Sequence, residues 1–106
     1  LVAKGHVVLP SVPEGCLHNA HMFYLKTLTL EKRTALIEYL KQKGVMAVFH
    51  YVPLHSAKAG QCFARLHGAD KYTTLESERL VRLPIWYGIG EKEVQHIINS
   101  IIEFYQ

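Results

Sequence analysis

The end of the chain constrains the fold more than any other stretch. Val94, Ile97, Ile98, Ile101, Ile102 and Tyr105 recur at i, i+3, i+4, i+7, i+8 and i+11. Only a helix gathers that set on one face, so a helix is predicted from about Glu91 to Tyr105. Glu91 and Glu93 stand in its first turn, where the dipole favours acids, and Gly90 is placed near the N-cap. A helix with one apolar stripe must cover something, and the rest of the chain has to supply it.

A second helix is predicted from about Leu30 to Lys43. Leu30, Arg33, Leu36, Ile37 and Leu40 share one face, with the Arg33 stem lying along it. Thr29 is the expected cap, and Gly44 stands where a left-handed residue ends a helix. Between and around these helices lie short branched or aromatic runs: "HVVLP" at 6–10, "NAHMFYLKT" at 19–27, "VMAVFHY" at 45–51 and "LVRLPIW" at 80–86. These read as strands or extended segments. Thr73 and Glu76 have capping-box spacing, which predicts a short helix from about Thr74 to Arg79. The stretch 53–72 has no strong period, with at most a turn or two of helix in "AGQCFARLHG". A connection that long in a compact domain is usually functional or disordered. The expected fold is α+β: a small, mainly antiparallel sheet of three to four strands with helices mostly on one face.

With 106 residues, the chain is read as one domain. The formal charge of +3 is spread among acids, so no nucleic-acid partner is expected. No apolar run reaches ~18 residues, so no membrane span is expected, and no secretory leader is recognisable. Cys16 and Cys62 show no paired motif, which fits a reducing cytoplasm. The first residue is Leu1 rather than Met, as expected of a piece of something longer.

Chemistry concentrates in "MAVFHYVPLHSA", 46–57, where His50, Tyr51, His55 and Ser56 leave the end of one strand around Pro53. Ligands in layered folds commonly lie just beyond strand ends. Imidazole and phenol both donate and accept hydrogen bonds, which suits sugar hydroxyls or phosphates. A polar loop that merely finishes the sheet explains the same residues about as well. Ser56 has no base placed to activate it, and no catalytic residue is assigned. The histidines lack a carboxylate or cysteine completing a ligand set, and no metal residues are assigned. Gly88 and Gly90 lack the third glycine of a dinucleotide loop and the lysine of a phosphate loop, so they read as a turn. Arg82 is read as a surface pairing residue before a phosphate ligand.

"NAHMFYLK", "HYVPLHSA", "ESERLVRLP" and a closing "VQHIINSIIEF" occur here in that order. This series resembles the C-terminal part of the DegT/DnrJ/StrS family, pyridoxal-phosphate-dependent nucleotide-sugar aminotransferases of the aspartate-aminotransferase fold. The resemblance runs over essentially the whole chain. It implies that residues 1–106 are the C-terminal small domain of a fold-type I enzyme, with residues 1–5 ending an interdomain helix. It places the cofactor-bonding lysine, the acid on the pyridine nitrogen and most phosphate contacts in a preceding large domain. No cofactor-binding residue is therefore expected here, and the chain alone should be inactive. The implied reaction moves an amino group from glutamate to the 4-keto carbon of dTDP-4-keto-6-deoxyglucose, for enterobacterial common antigen or a related surface polysaccharide. The enzyme would be a cytoplasmic homodimer with shared sites. By the same resemblance His50 and Tyr51 face the sugar or its diphosphate, with His55 beside them or holding the loop. Lys58 and Gly90 depart from the family pattern, which prefers proline and a Ser or Thr cap. Two other readings remain: a stand-alone α+β ligand-binding or dimerisation module, and a metal-binding domain.

Overall fold

A computed structural model describes residues 1–106. The element order is β1 (Phe23–Lys26), α1 (Leu30–Gln42), β2 (Val48–Phe49), α2 (Lys58–Phe63), α3 (Thr73–Arg79), β3 (Leu80–Leu83) and α4 (Glu91–Phe104). The strands form one antiparallel sheet in the order β1-β3-β2. The fold is α+β, as the alternation of periods predicted.

The two long helices start and stop for local reasons. The Thr29 hydroxyl accepts the Lys32 N–H at 3.2 Å, meeting one of the unpaired amides of the first turn. Gly44 takes φ +77° after the last turn, a conformation a Cβ would disfavour. α4 begins after Gly90, whose extended backbone caps without a side chain. Two contacts tie the C-terminal end of α1 to α4. His96 Nε2 lies 2.9 Å from the Lys43 carbonyl, and Lys43 Nζ donates to Glu103 at 3.0 Å.

Opposed residues in an antiparallel pair share a face. Leu25, Val81 and Phe49 lie opposite one another across the three strands. The core gathers on that face: Val7, Leu25, Leu36, Leu40, Val45, Ala47, Val81, Ile97 and Ile101. Arg33 crosses its edge, with the guanidinium 5.1 Å from the Phe49 ring centroid. Buried Thr27 ties the start of β3 to the end of β1. Its N–H donates to Arg79 O at 2.9 Å, and Arg79 Nε donates back to Thr27 O at 2.8 Å.

Three expectations change. The strands are shorter than their apolar runs: β1 and β3 stop together at the Phe23–Leu83 pair, before Pro84, and β2 pairs only at Val48 and Phe49. "HVVLP" contributes only a bridge between Val8 and Lys26, so the sheet has three strands. No Thr73–Glu76 box caps α3: its N-cap is Tyr72, without a side-chain bond, and the first-turn amides are met by Asp70, two residues earlier. Asp70 accepts the N–H groups of Thr73 (3.0 Å) and Thr74 (3.2 Å), while Glu76 is drawn to Lys26 at 2.8 Å.

The α4 stripe splits into two rows. Ile97 and Ile101 are buried, whereas Val94, Ile98 and Ile102 are 39%, 43% and 39% exposed. A three-stranded sheet is too narrow to cover both rows. The molecule is correspondingly open: its accessible surface is 8259 Å². A lone folded chain of this mass exposes about 6,000 Å². Its radius of gyration is 15.7 Å, against about 13 Å for a compact domain of this length.

Candidate functional site at the end of the short strand

β2 pairs with β3 only through Val48 and Phe49. Pro53 cannot donate to a ladder, and the chain leaves the sheet before it. Strand alternation would send His50 and Tyr51 to opposite faces. Because pairing stops at Phe49, their rings instead meet edge to face, with centroids 4.6 Å apart. Tyr51 is 72% exposed. His50 Nδ1 is buried and has no hydrogen-bond partner. A buried polar nitrogen without a partner is costly.

His55 is placed differently. Its Nε2 lies 3.0 Å from Asp70 Oδ2 and 3.3 Å from Thr74 Oγ1, and the Thr74 hydroxyl donates to the same carboxylate. No hydrogen bond joins His55 to the His50–Tyr51 pair. Of the two roles set out for it, the geometry favours holding the loop. The Thr74 hydroxyl is the main reason the Asp70 carboxyl lies below its usual range, with His55 a smaller contribution.

The turn 53–57 is tightly knit. Ser56 and Ala57 N–H donate to Pro53 O at 3.1 and 3.0 Å, and Ser56 Oγ donates to the same carbonyl. Gly60 of α2 lies against this turn: a Cβ there would stand 1.6 Å from the Leu54 carbonyl oxygen. Asp70, Thr74 and Gly60 were not among the residues the sequence singled out. An Asp three residues before the "TTLESER" helix was the available signal. Nothing local announces the Gly60 contact.

Arg82, Val48 and Tyr24 share the sheet face opposite the core. Arg82 lines a cavity of about 220 Å³ with His21, Met22 and Met46, and it makes no ion pair, contrary to the surface pairing expected. The largest cavity, about 400 Å³, lies elsewhere, between Gly44–Met46, Trp86 and the start of α4. It does not include His50, Tyr51 or His55. No three His, Cys, Asp or Glu side chains are grouped to hold a metal ion. No lysine is buried, and the two half-buried ones, Lys26 and Lys43, pair with Glu76 and Glu103. Both cysteines are exposed thiols, and no helix is long and apolar enough to cross a membrane.

Residues 3–102 match the model of the DegT/DnrJ/EryC1/StrS aminotransferase family. The chain belongs to that family. A pleiotropic regulatory protein of Geobacillus stearothermophilus is 29% identical over 105 residues, which are 94% of this chain and 26% of that protein. Among solved structures, the aminotransferase TlmJ of Streptoalloteichus hindustanus superposes with a TM-score of 0.76 at 19% identity, over 94% of this chain and 26% of that one. A DegT DnrJ EryC1 StrS aminotransferase of Brucella abortus gives 0.73 at 24%, over 95% and 26%. The PMP-form structure of a sugar aminotransferase described as putative, Spr1654 of Streptococcus pneumoniae, gives 0.63 at 21%, over 79% and 22%. The chain therefore has this family's fold over about 95% of its length and spans about a quarter of these relatives.

Proposed function

We propose that this chain is the small C-terminal domain of a longer pyridoxal-phosphate-dependent sugar aminotransferase. Its part is to wall the substrate cleft with His50 and Tyr51. The observation that carries this is the His50–Tyr51 pair: two polar rings in contact just past a strand end, with the Tyr51 phenol open to solvent. Family membership, the 26% span of the relatives, the excess surface and the open α4 row all support a chain that packs against a larger body. That body would hold the cofactor, which supplies the amine-carrying chemistry when bound. The residues of this chain bind and orient. The exposed phenol of Tyr51 and the outer ring nitrogen of His50, Nε2, are suited to sugar hydroxyls or the diphosphate, and the loop tied by His55 holds them in place.

The substrate proposed is dTDP-4-keto-6-deoxyglucose with glutamate as donor, giving dTDP-4-amino-4,6-dideoxygalactose for enterobacterial common antigen. The enzyme as a whole is proposed to be a cytoplasmic homodimer. Its coding frame continues upstream into a lysine-bearing large domain. In that enzyme, His50→Ala and Tyr51→Phe should raise KM for the nucleotide sugar about tenfold, with the cofactor absorbance and the glutamate half-reaction unchanged. An unaltered KM in both variants would sink the assignment. A frame opening at Leu1 would instead favour a stand-alone module.

A further inference from the structure

The segment that carries His50 and Tyr51 is clamped at both ends. On one side Val48 and Phe49 pair with Arg82 and Val81 of the central strand. On the other, the turn 53–57 is knotted to itself and rests on Gly60. The tie from that turn to the rest of the domain is His55, through Asp70 and Thr74. Asp70 is itself anchored, because both its oxygens cap α3. α3 is anchored in turn by Glu76 on Lys26 of β1 and by Arg79 on the Thr27 carbonyl. A continuous chain of contacts thus runs from the sheet, through α3 and Asp70, to the residue four positions after Tyr51.

We propose that Asp70 is a positioning residue: by holding His55 it fixes the loop that presents His50 and Tyr51. This rests on the reading of that pair as a nucleotide-sugar wall. Asp70 makes no contact with the pair and acts only through the turn. Its Oδ2 lies 3.0 Å from His55 Nε2, so an N–H donated there to the carboxylate makes a charge-assisted hydrogen bond. Displacing a binding group by a fraction of an ångström is enough to weaken a substrate contact without touching the chemistry.

The test is steady-state kinetics on the full-length enzyme that carries this chain, with dTDP-4-keto-6-deoxyglucose and glutamate. Asp70→Asn is the main variant, since the amide oxygen still accepts an α3 N–H while the ionic tie to His55 is lost. Asp70→Ala removes the cap as well and serves only as the stronger comparison. Asp70→Asn should raise KM for the nucleotide sugar about fivefold to tenfold, with KM for glutamate, kcat and the cofactor spectrum unchanged. Added to the double variant His50→Ala, Tyr51→Phe, it should do nothing more, because neither contact is left to position. Equal fold-increases on the wild-type background and on the His50→Ala, Tyr51→Phe background would overturn the proposal. So would an unchanged KM in Asp70→Asn when His50→Ala alone raises it, and this outcome would leave the wall assignment intact. If neither variant moves KM, both readings fall.

Discussion

Single polar atoms in this domain separate structural from functional roles. Tyr105 Oη is buried without a partner, like His50 Nδ1, and burial raises the Tyr105 phenol above its ordinary range. The Tyr105 ring stacks on His6 at 5.2 Å and meets Phe104 edge-on, so the ring has a packing role and the hydroxyl none. Tyr105→Phe should therefore leave stability equal or raise it by up to about 1 kcal/mol, read from the urea midpoint at constant slope. A loss of stability would mean that the hydroxyl has a partner in solution. Gly90 offers a second case. Its φ of −87° suits any residue, and a Cβ there meets only the flexible carboxylate of Glu93. Gly90→Ser should gain a few tenths of a kcal/mol, because a hydroxyl followed three residues on by Glu93 completes a capping box. Caps of this kind are legible from sequence, as Thr29 and Gly44 were. The partners of His55 were not, since Asp70 and Thr74 come to it across a connection that has no period to read.

The two long helices kept nearly the bounds their apolar spacing predicted, while the strands contracted to two and four residues. The difference is physical. A helix closes its hydrogen bonds within itself, whereas a strand extends only as far as its neighbour does. The run 45–51 therefore could not reveal where pairing stops, and that stopping point is what brings His50 beside Tyr51. At this scale α1 is the central support of the core. Leu36 is fully buried, and Leu36→Ala should cost about 2–5 kcal/mol and move the urea midpoint accordingly. α2 is an opposite case, with no buried residue of its own and one tight contact through Gly60. Gly60→Ala pushes against a backbone carbonyl that cannot turn aside without moving the 53–57 turn. It should cost roughly 1–3 kcal/mol and raise KM for the nucleotide sugar in the full enzyme. Thermal melts and kinetics on one protein preparation check both halves.

For the whole molecule, charge and open surface decide its behaviour in solution. Four carboxyls lie below their ordinary values: Glu31 through the Thr29 hydroxyl, Asp70 through the Thr74 hydroxyl, Glu76 through Lys26 and Glu103 through Lys43. A depressed folded-state value means that the unfolded chain takes up protons first as pH falls. The stabilisation is complete above about 4.5, the ordinary value for Glu, and is lost as pH drops through the lower folded values. The urea midpoint should fall modestly as pH drops below about 4.5, since exposed pairs each contribute little. Lys43 has the opposite sign: its raised value gives stability present below 10.5 and lost above it. None of these charges covers the apolar row Val94, Ile98 and Ile102. That row borders a cavity of about 300 Å³ lined also by Phe23, Ile85 and Ile89. Fully exposed Tyr87 and Phe63 add to the apolar surface. An exposed surface of this kind drives association when its proper cover is missing. The chain produced alone should therefore self-associate as its concentration rises, as read by light scattering. Ile98→Lys, on the open row and outside the core, should return it towards a monomer while leaving the urea midpoint nearly unchanged. A strict monomer at high concentration in the unaltered chain would show that this row needs no cover.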